Sequence, residues 1–525
     1  MEDFPWLSVL IALPLAGALL VGLMPRGSEE LVKRVALGVS IVVAVVAGVM
    51  AAQFDTGGAR FQFEEKYWWI KQFGVHWAVG VDGIALTLVL LSVILVPLVI
   101  LASWSDADRS GGVDTPPKRS VKTYFALILS LEAMMIGVFA ATDVFLFYVF
   151  FEAMLIPVYF IIGSYGGAQR SYAAVKFLLY SLFGGLIMLV AVIWLYPLSA
   201  KSVSDGGLGQ GTFLFSELSK LDIEPTTAKW LFLGFFVAFA IKAPMVPVHT
   251  WLPDAAGQSP AGALVLIVGV LDKVGTYGMM RFCLELFPGA AKWATPVVIT
   301  LAVISIIYGA VLAIGQVDLK RLVAYTSISH FGFIVLGIFA MTSQGQSGAA
   351  LYMVNHGFST GALFLLVGFM IVRRRSARID AYGGVQKQAP VLAGLFLVAG
   401  LSGLSLPGLA PFVSEFLVLT GTFTRYKVPA LIATAGIVLA AIYILWMYQR
   451  TMGGAVVDKV KGMTDLSARE RWAVGPIIAV IVVMGFFPQP VLNVINPSVK
   501  ETLVRVDQHD PASKIKNVAE NGARP

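Results

Sequence analysis

Charge is what this sequence has least of. Only 13% of its 525 residues are Asp, Glu, Lys or Arg, about half of the roughly 25% that an ordinary soluble domain carries. With 58% hydrophobic residues, the composition excludes a soluble enzyme of average make-up. Polar gaps are short, and none is long enough to imply a separate soluble domain. Cysteine is nearly missing. Cys283 is the only one, which excludes a disulfide within the chain and a cysteine-ligated cluster or zinc site. No nucleotide, haem or iron–sulfur motif is present. Gly206-Gly-Leu-Gly-Gln-Gly211 lacks the preceding strand and the Lys-Ser/Thr of a phosphate loop and reads as flexible loop. The opening, with Glu2 and Asp3 in place of a basic segment and a long apolar run to Met24, does not fit a secretory signal and reads as a retained first helix.

Long apolar runs fill what remains. Stretches of about 20 residues recur from end to end, the length a helix needs to cross a bilayer. In lipid every backbone polar group must be paired internally, so helices or a closed barrel are the choices. The runs are continuous rather than alternating, which argues against a barrel. The reading is an all-α polytopic membrane protein with about fourteen spans, near 5–24, 31–51, 82–103, 121–140, 143–163, 173–196, 229–250, 260–281, 294–315, 320–341, 349–372, 390–421, 429–449 and 472–492. Polar stretches at 104–120, 197–228, 373–389 and 450–471 read as loops, and the tail after Pro497 as an extended surface segment.

Basic residues set the orientation. With the N-terminus outside, the inner loops carry 21 Lys/Arg and the outer loops 10, with 5 more in the C-terminal tail. The bias predicts both termini on the outer face. It also accounts for the net charge of +7 without a nucleic-acid partner. Loops and tail hold 36 of the 38 basic residues; Lys242 and Lys273 are the two left inside apolar spans.

Two spans are interrupted. The seventh holds Lys242-Ala-Pro244-Met-Val-Pro247, and the twelfth holds Pro407-Gly-Leu-Ala-Pro411 ahead of Glu415. Proline in a helix interior removes a donor and kinks the chain. Paired interruptions in two halves of a transporter mark inverted repeats and the transport path. Five helices separate the two, an odd number, so repeats of five would have opposite topology. Spans 4–8 and 9–13 are therefore expected as inverted repeats. The chain then divides into residues 1–120 with the first three helices, 121–281 and 294–449 with the two repeats, and 450–525 with the last helix and a polar tail.

An ionisable group at the bilayer centre costs about 2.5–3.5 kcal/mol on insertion scales, so each one asks for a reason. The candidates are Glu152, Lys242, Lys273 and Glu415, with Glu132 and Asp272 as further acids. Structural salt bridges explain one such pair readily. Two lysines and several acids spread over separate helices, two of them broken, fit a cation path better, and the cation is most simply H⁺. A lysine that trades protons near neutrality needs its pKa brought down from about 10.4. Burial does that and a neighbouring carboxylate opposes it. A movable contact between Glu152 and Lys242 would then switch proton release. His330, in Tyr325-Thr-Ser327-Ile-Ser-His330, and His356, in Asn355-His356-Gly-Phe-Ser359-Thr360, have hydroxyl neighbours at helical spacing and titrate in a useful range. His249, at the end of the seventh span, is the weaker histidine candidate. Asp143 and Asp254 read as helix caps, and Asp318-Leu-Lys-Arg321 as a tight inner loop that is topological or touches a neighbour.

These motifs resemble a known family. Phe150-Phe-Glu152-Ala-Met-Leu-Ile-Pro157, Lys242-Ala-Pro-Met-Val-Pro-Val-His249-Thr-Trp-Leu-Pro-Asp254, Asp318-Leu-Lys-Arg-Leu-Val-Ala-Tyr325-Thr-Ser-Ile-Ser-His330 and Pro407-Gly-Leu-Ala-Pro-Phe-Val-Ser-Glu415 are similar to the M-type, antiporter-like subunits of bacterial NADH–quinone oxidoreductase. The likeness spans nearly the whole chain. It implies a fourteen-helix proton-translocating subunit of the inner-membrane arm, with Glu152, Lys242, Lys273, Glu415, His330 and His356 on its proton path. It implies L-like and N-like antiporter-type neighbours, contact with lipid, and no cofactor or metal in this chain. FMN, iron–sulfur clusters and quinone are expected in partner subunits. Glu415 stands where L-type, N-type and Mrp-type relatives commonly place lysine, and Asp272 where an apolar residue is expected. The alternative is a subunit of an Mrp-type Na⁺/H⁺ antiporter; a structural spacer with frozen ion pairs is the blander third reading.

Overall fold

The computed structural model describes residues 4–25, 27–107 and 120–511. Part of the expected loop 104–120 and the far tail lie outside the described residues. The chain is helical, and eleven helices among the described residues are long and apolar enough to cross a membrane. They are α1 (Trp6–Leu23), α2 (Glu29–Ala51), α3 (Gly83–Ala102), α4 (Val121–Ala140), α5 (Val144–Tyr165), α6 (Arg170–Ala200), α9 (Ala261–Leu284), α10 (Pro288–Ile314), α11 (Leu319–Ala340), α12 (Ser343–Arg374) and α15 (Lys427–Met452). Two broken elements stand among them. One is α7 (Pro225–Lys242) with α8 (Trp251–Gln258), and the other is α13 (Pro390–Gly403) with α14 (Ala410–Arg425). The chain ends in α16 (Ala468–Phe486) and α17 (Gln489–Val506), bent by 72° at their junction.

Burial sorts these helices into layers. The apolar window of α9 is 100% buried and those of α11 and α12 are each 94% buried. The windows of α1, α2, α6 and α15 are 28–39% buried and expose Leu19, Val45, Phe183, Leu186, Val190 and Leu431. A helix apolar all round belongs inside the protein or against lipid, and here the outer helices take the lipid while three inner helices form the axis. Glycine permits the tight inner packing. A Cβ on Gly275 of α9 would meet the Phe239 carbonyl oxygen at 2.5 Å and the Ala243 nitrogen at 2.7 Å, so α9 lies directly on the end of α7.

Three features depart from the sequence reading. First, an antiparallel hairpin joins β1 (Gln62–Ile70) to β2 (Val75–Val81), with Tyr67 opposite Trp77 and Trp68 opposite His76. Alternation was hidden because Tyr67, Trp68 and Trp69 are all largely exposed aromatics. Glu65 on β1 accepts the Leu7 and Ser8 amides at the start of α1, and the Asp143 carboxylate accepts the His76 amide. Second, the segment around Pro497 is not an extended tail but the amphipathic α17, which buries Ile495, Ser498, Val499, Thr502, Leu503 and Val506. Third, Arg281, expected in an outer loop, lies within α9 at 4% exposure. Its guanidinium is ion-paired with Asp82 and lies 3.9 Å from Glu285. Arg60 reaches Glu285 at 2.5 Å, and Thr502 of α17 donates to the same carboxylate at 2.7 Å. A single ionic cluster thus ties α3, α9 and α17 together.

Candidate functional site

The first break ends α7 at Lys242. Glu224 caps its start by accepting the Thr226 and Thr227 amides, and Pro225 occupies the first turn. At the other end Pro244 and Pro247 cannot continue the ladder. The freed groups find other partners: Met245 N–H donates to the Ala240 carbonyl, Val246 N–H to Ser305 Oγ at 3.0 Å, and Trp251 Nε1–H to the Ile241 carbonyl at 2.8 Å. Lys242 is therefore the last helical residue, where the dipole of α7 favours a cation. Its Nζ is fully buried, sits 4.6 Å from the Phe151 ring centroid and meets no hydrogen-bond partner among the described residues.

Glu152 follows Phe151 on α5. Pro157 removes a donor one turn on, and the helix is distorted at Met154 between Val144–Ala153 and Leu155–Tyr165. Space for the carboxylate comes from α6, since a Cβ on Gly185 would lie 1.6 Å from Glu152 Oε1. Glu152 and Lys242 are each other's charged neighbours. They form no direct ion pair, and Glu152 Oε1 and Lys242 Nζ both lack a hydrogen-bond partner among the described residues.

Across the Gly275 contact lies Lys273. In α9 the stretches Ile267–Leu271 and Met279–Leu284 are wound as π-helix, with an ordinary turn, Lys273–Gly278, between them. Such wide turns appear mostly where function needs a side chain re-aimed. Lys273 Nζ donates to the Val268 carbonyl, stands 2.7 Å from His356 Nδ1 and lies 5.0 Å from the Phe331 ring centroid. Asp272 is also fully buried, and neither of its oxygens meets a donor among the described residues.

From His356 the polar groups continue. The rings of His356 and His330 are 5.4 Å apart and perpendicular. The ring of Tyr352, one helical turn before His356, is 5.7 Å from that of His330, and its hydroxyl donates to Glu415 Oε2 at 2.9 Å. Ser405, in the break between α13 and α14, donates to the same oxygen at 2.5 Å. Asn355 Nδ2 donates to the Ala410 carbonyl at the start of α14, so α12 holds both the break and the glutamate that follows it.

The structure thus brings Lys242, Asp272, Lys273, His356, His330 and Glu415 into one buried series, with half-buried Glu152 at its Lys242 end. Glu132 stands apart on α4, 0% exposed, with no partner for either oxygen among the described residues. His249 lies in the first break against Tyr308, 5.1 Å between rings, away from the Lys273–His356 contact. Asp143 caps α5 through the Phe145 and Leu146 amides. Asp254 is not a cap: it lies inside α8 and pairs with Lys176 at 2.6 Å and Arg321 at 2.7 Å. Asp318 caps α11 through the Arg321 amide. Sequence reading missed Tyr352, Ser405, Gly185 and the Arg281 cluster. The first had a usable signal, because Tyr352 and His356 are four residues apart on one helix face.

Known proteins share this fold. The family model described as NADH:quinone oxidoreductase/Mrp antiporter, TM, matches residues 141–442. NADH-quinone oxidoreductase subunit M of Mycobacterium tuberculosis is 51% identical over 98% of this chain and 97% of its own. Subunit M of Rhodobacter capsulatus is 40% identical over 94% and 95%. Among solved structures, a chain of respiratory complex I from Thermus thermophilus superposes with a TM-score of 0.84 at 30% identity, covering 95% of this chain and 99% of that one. A chain of the Mrp complex from Dietzia shares the fold at a TM-score of 0.81 and 18% identity. The chain belongs to the NADH:quinone oxidoreductase/Mrp antiporter family of membrane proteins, among the M subunits of NADH–quinone oxidoreductase.

Proposed function

We propose that the chain carries H⁺ across a bacterial membrane along the series Glu152–Lys242–Lys273–His356–His330–Glu415, driven by redox chemistry in other subunits of a respiratory NADH–quinone oxidoreductase. The observation that carries this reading is the contact from Lys273 through two histidines and Tyr352 to Glu415, buried in the most enclosed helices of the fold. An ionisable residue inside a membrane is expensive and marks an ion path or a partner. A glutamate stands at each end of the series, with two lysines and two histidines between them. The Glu152–Lys242 contact is open, and its closure would hold the proton on Lys242 until the carboxylate withdraws.

Further parts of the reading rest on pattern. Counting each broken element as one span gives fourteen with the helices above, and an even number leaves both termini on one face, the outer by the Lys/Arg bias. Lys242 before one break and Glu415 after the other support two inverted five-helix repeats. Flavin, iron–sulfur clusters and quinone belong to partner subunits, and the neighbours in the membrane arm are L-like and N-like subunits. Gentle isolation from the native membrane tests the assignment: a flavin-containing assembly that oxidises NADH supports it. A smaller assembly that exchanges Na⁺ for H⁺ without NADH supports an Mrp-type antiporter.

A further inference from the structure

The series has one member that the path just described leaves idle. Asp272 lies at the step where α9 passes from π to α winding. Its amide donates to the Ile267 carbonyl five residues back, and its carbonyl accepts the Gly275 amide three residues on. The step places its side chain at 0% exposure, with neither oxygen meeting a donor among the described residues. Its charged neighbours are Lys273 and Lys242. The close approach of Gly275 to Ala243 sets the start of α9's central turn against the end of α7, which is where Lys242 sits. A carboxylate without a hydrogen bond is costly to hold in that position, and each lysine has its nitrogen in the same low-dielectric interior. Burial of a carboxylate with no hydrogen bond to anchor it serves no evident packing purpose.

We propose that Asp272 is the relay carboxylate between the two lysines, joining the first-half pair Glu152–Lys242 to the second-half axis that begins at Lys273. The Lys242 ammonium gives one proton to the Asp272 carboxylate and becomes a neutral amine. The carboxylic acid then gives that proton to the neutral Lys273 amine and returns to its anion. One N–H bond breaks and one forms, and the charge at Asp272 is restored. A swing of the lysine stems or a single bridging water completes each transfer.

This inference rests on the proton-carrying reading above, so the test separates the two. The whole NADH–quinone oxidoreductase is purified with Asp272→Asn, Asp272→Glu or Lys242→Ala in this chain and reconstituted in vesicles, and H⁺ moved per electron is measured with NADH oxidation and subunit content. The expected result is that Asp272→Asn lowers the ratio by the same fraction as Lys242→Ala, and that Asp272→Glu restores it. A normal ratio in Lys242→Ala overturns the parent reading and the relay with it. A lowered ratio in Lys242→Ala beside a normal one in Asp272→Asn overturns the relay alone. Failure of Asp272→Asn to assemble while Asp272→Glu assembles and pumps would assign the carboxylate a structural role and also overturn it.

Discussion

Lys273 Nζ and His356 Nδ1 stand 2.7 Å apart in the interior of the protein, and both side chains are fully buried. The pair joins α9 to α12 and links a buried lysine to the histidines. Replacing Lys273 with Met keeps the length of the stem and removes the charge. The expected outcome is an assembled complex that oxidises NADH and moves fewer protons per electron. His356→Gln, which preserves a hydrogen-bonding nitrogen but not a titrating ring, should behave similarly, and proton counting in vesicles reads both.

Gly185 offers a sharper test because it carries no charge. A Cβ there would lie 1.6 Å from Glu152 Oε1, so Gly185→Ala must displace the carboxylate. The flexible end of a glutamate yields readily, and alanine in a helix interior gains about 1 kcal/mol over glycine. The variant is expected to fold and assemble like the parent while losing H⁺ pumping to the extent that Glu152→Ala does. A Gly185→Ala complex that pumps normally would show that the position of Glu152 is not critical.

The cluster at the far end of α9 should behave as a structural element. Arg281 is paired with Asp82 and buried with it. Removing one member of a buried pair costs about 3–5 kcal/mol because the other charge is stranded. Arg281→Met is therefore expected to lower thermal stability and the yield of assembled protein. The double variant Arg281→Met with Asp82→Asn should be less damaged than the sum of the singles, measured as the midpoint of thermal unfolding in detergent.

Acid should remove the stability contributed by carboxylates that the fold holds ionised outside the membrane. Burial works against the charge on Asp465, yet the Val391, Leu466 and Leu392 amides and Arg471 outweigh it and hold the carboxyl below its ordinary value. A group with a depressed folded pKa contributes stability above its unfolded pKa, near 3.9 for Asp, and loses it as pH falls through the folded value. Asp465→Asn should therefore lower the unfolding midpoint at pH 7, and the gap to the parent should close as pH drops below about 4.

Much of the fold was legible because lipid allows few solutions. Continuous apolar runs could only be helices, and the prolines at 244, 247, 407 and 411 marked both broken elements. The scarcity of charge likewise exposed Lys242 and Lys273 as residues without a loop to sit in. Arg281 escaped because it is near the end of α9, where a basic residue ordinarily reaches water; its burial depends on Glu285 one turn on and on Asp82 and Arg60 arriving from a distant part of the chain. The helix α17 escaped because its apolar face is narrow and its other face carries Lys500, Glu501 and Arg505. Tyr352 and Ser405 became visible as partners of Glu415 only once α12 and the second break were side by side.

Lys242 is the most exacting member of the proton-carrying series: wholly buried, placed at a helix end and without a hydrogen-bond partner among the described residues. The direct measurement is H⁺ translocated per electron by the reconstituted Lys242→Ala complex, taken with its rate of NADH oxidation and its subunit composition. The account predicts a complete complex that still passes electrons and moves fewer protons for each one. A complete complex with the parent's H⁺ per electron would contradict it.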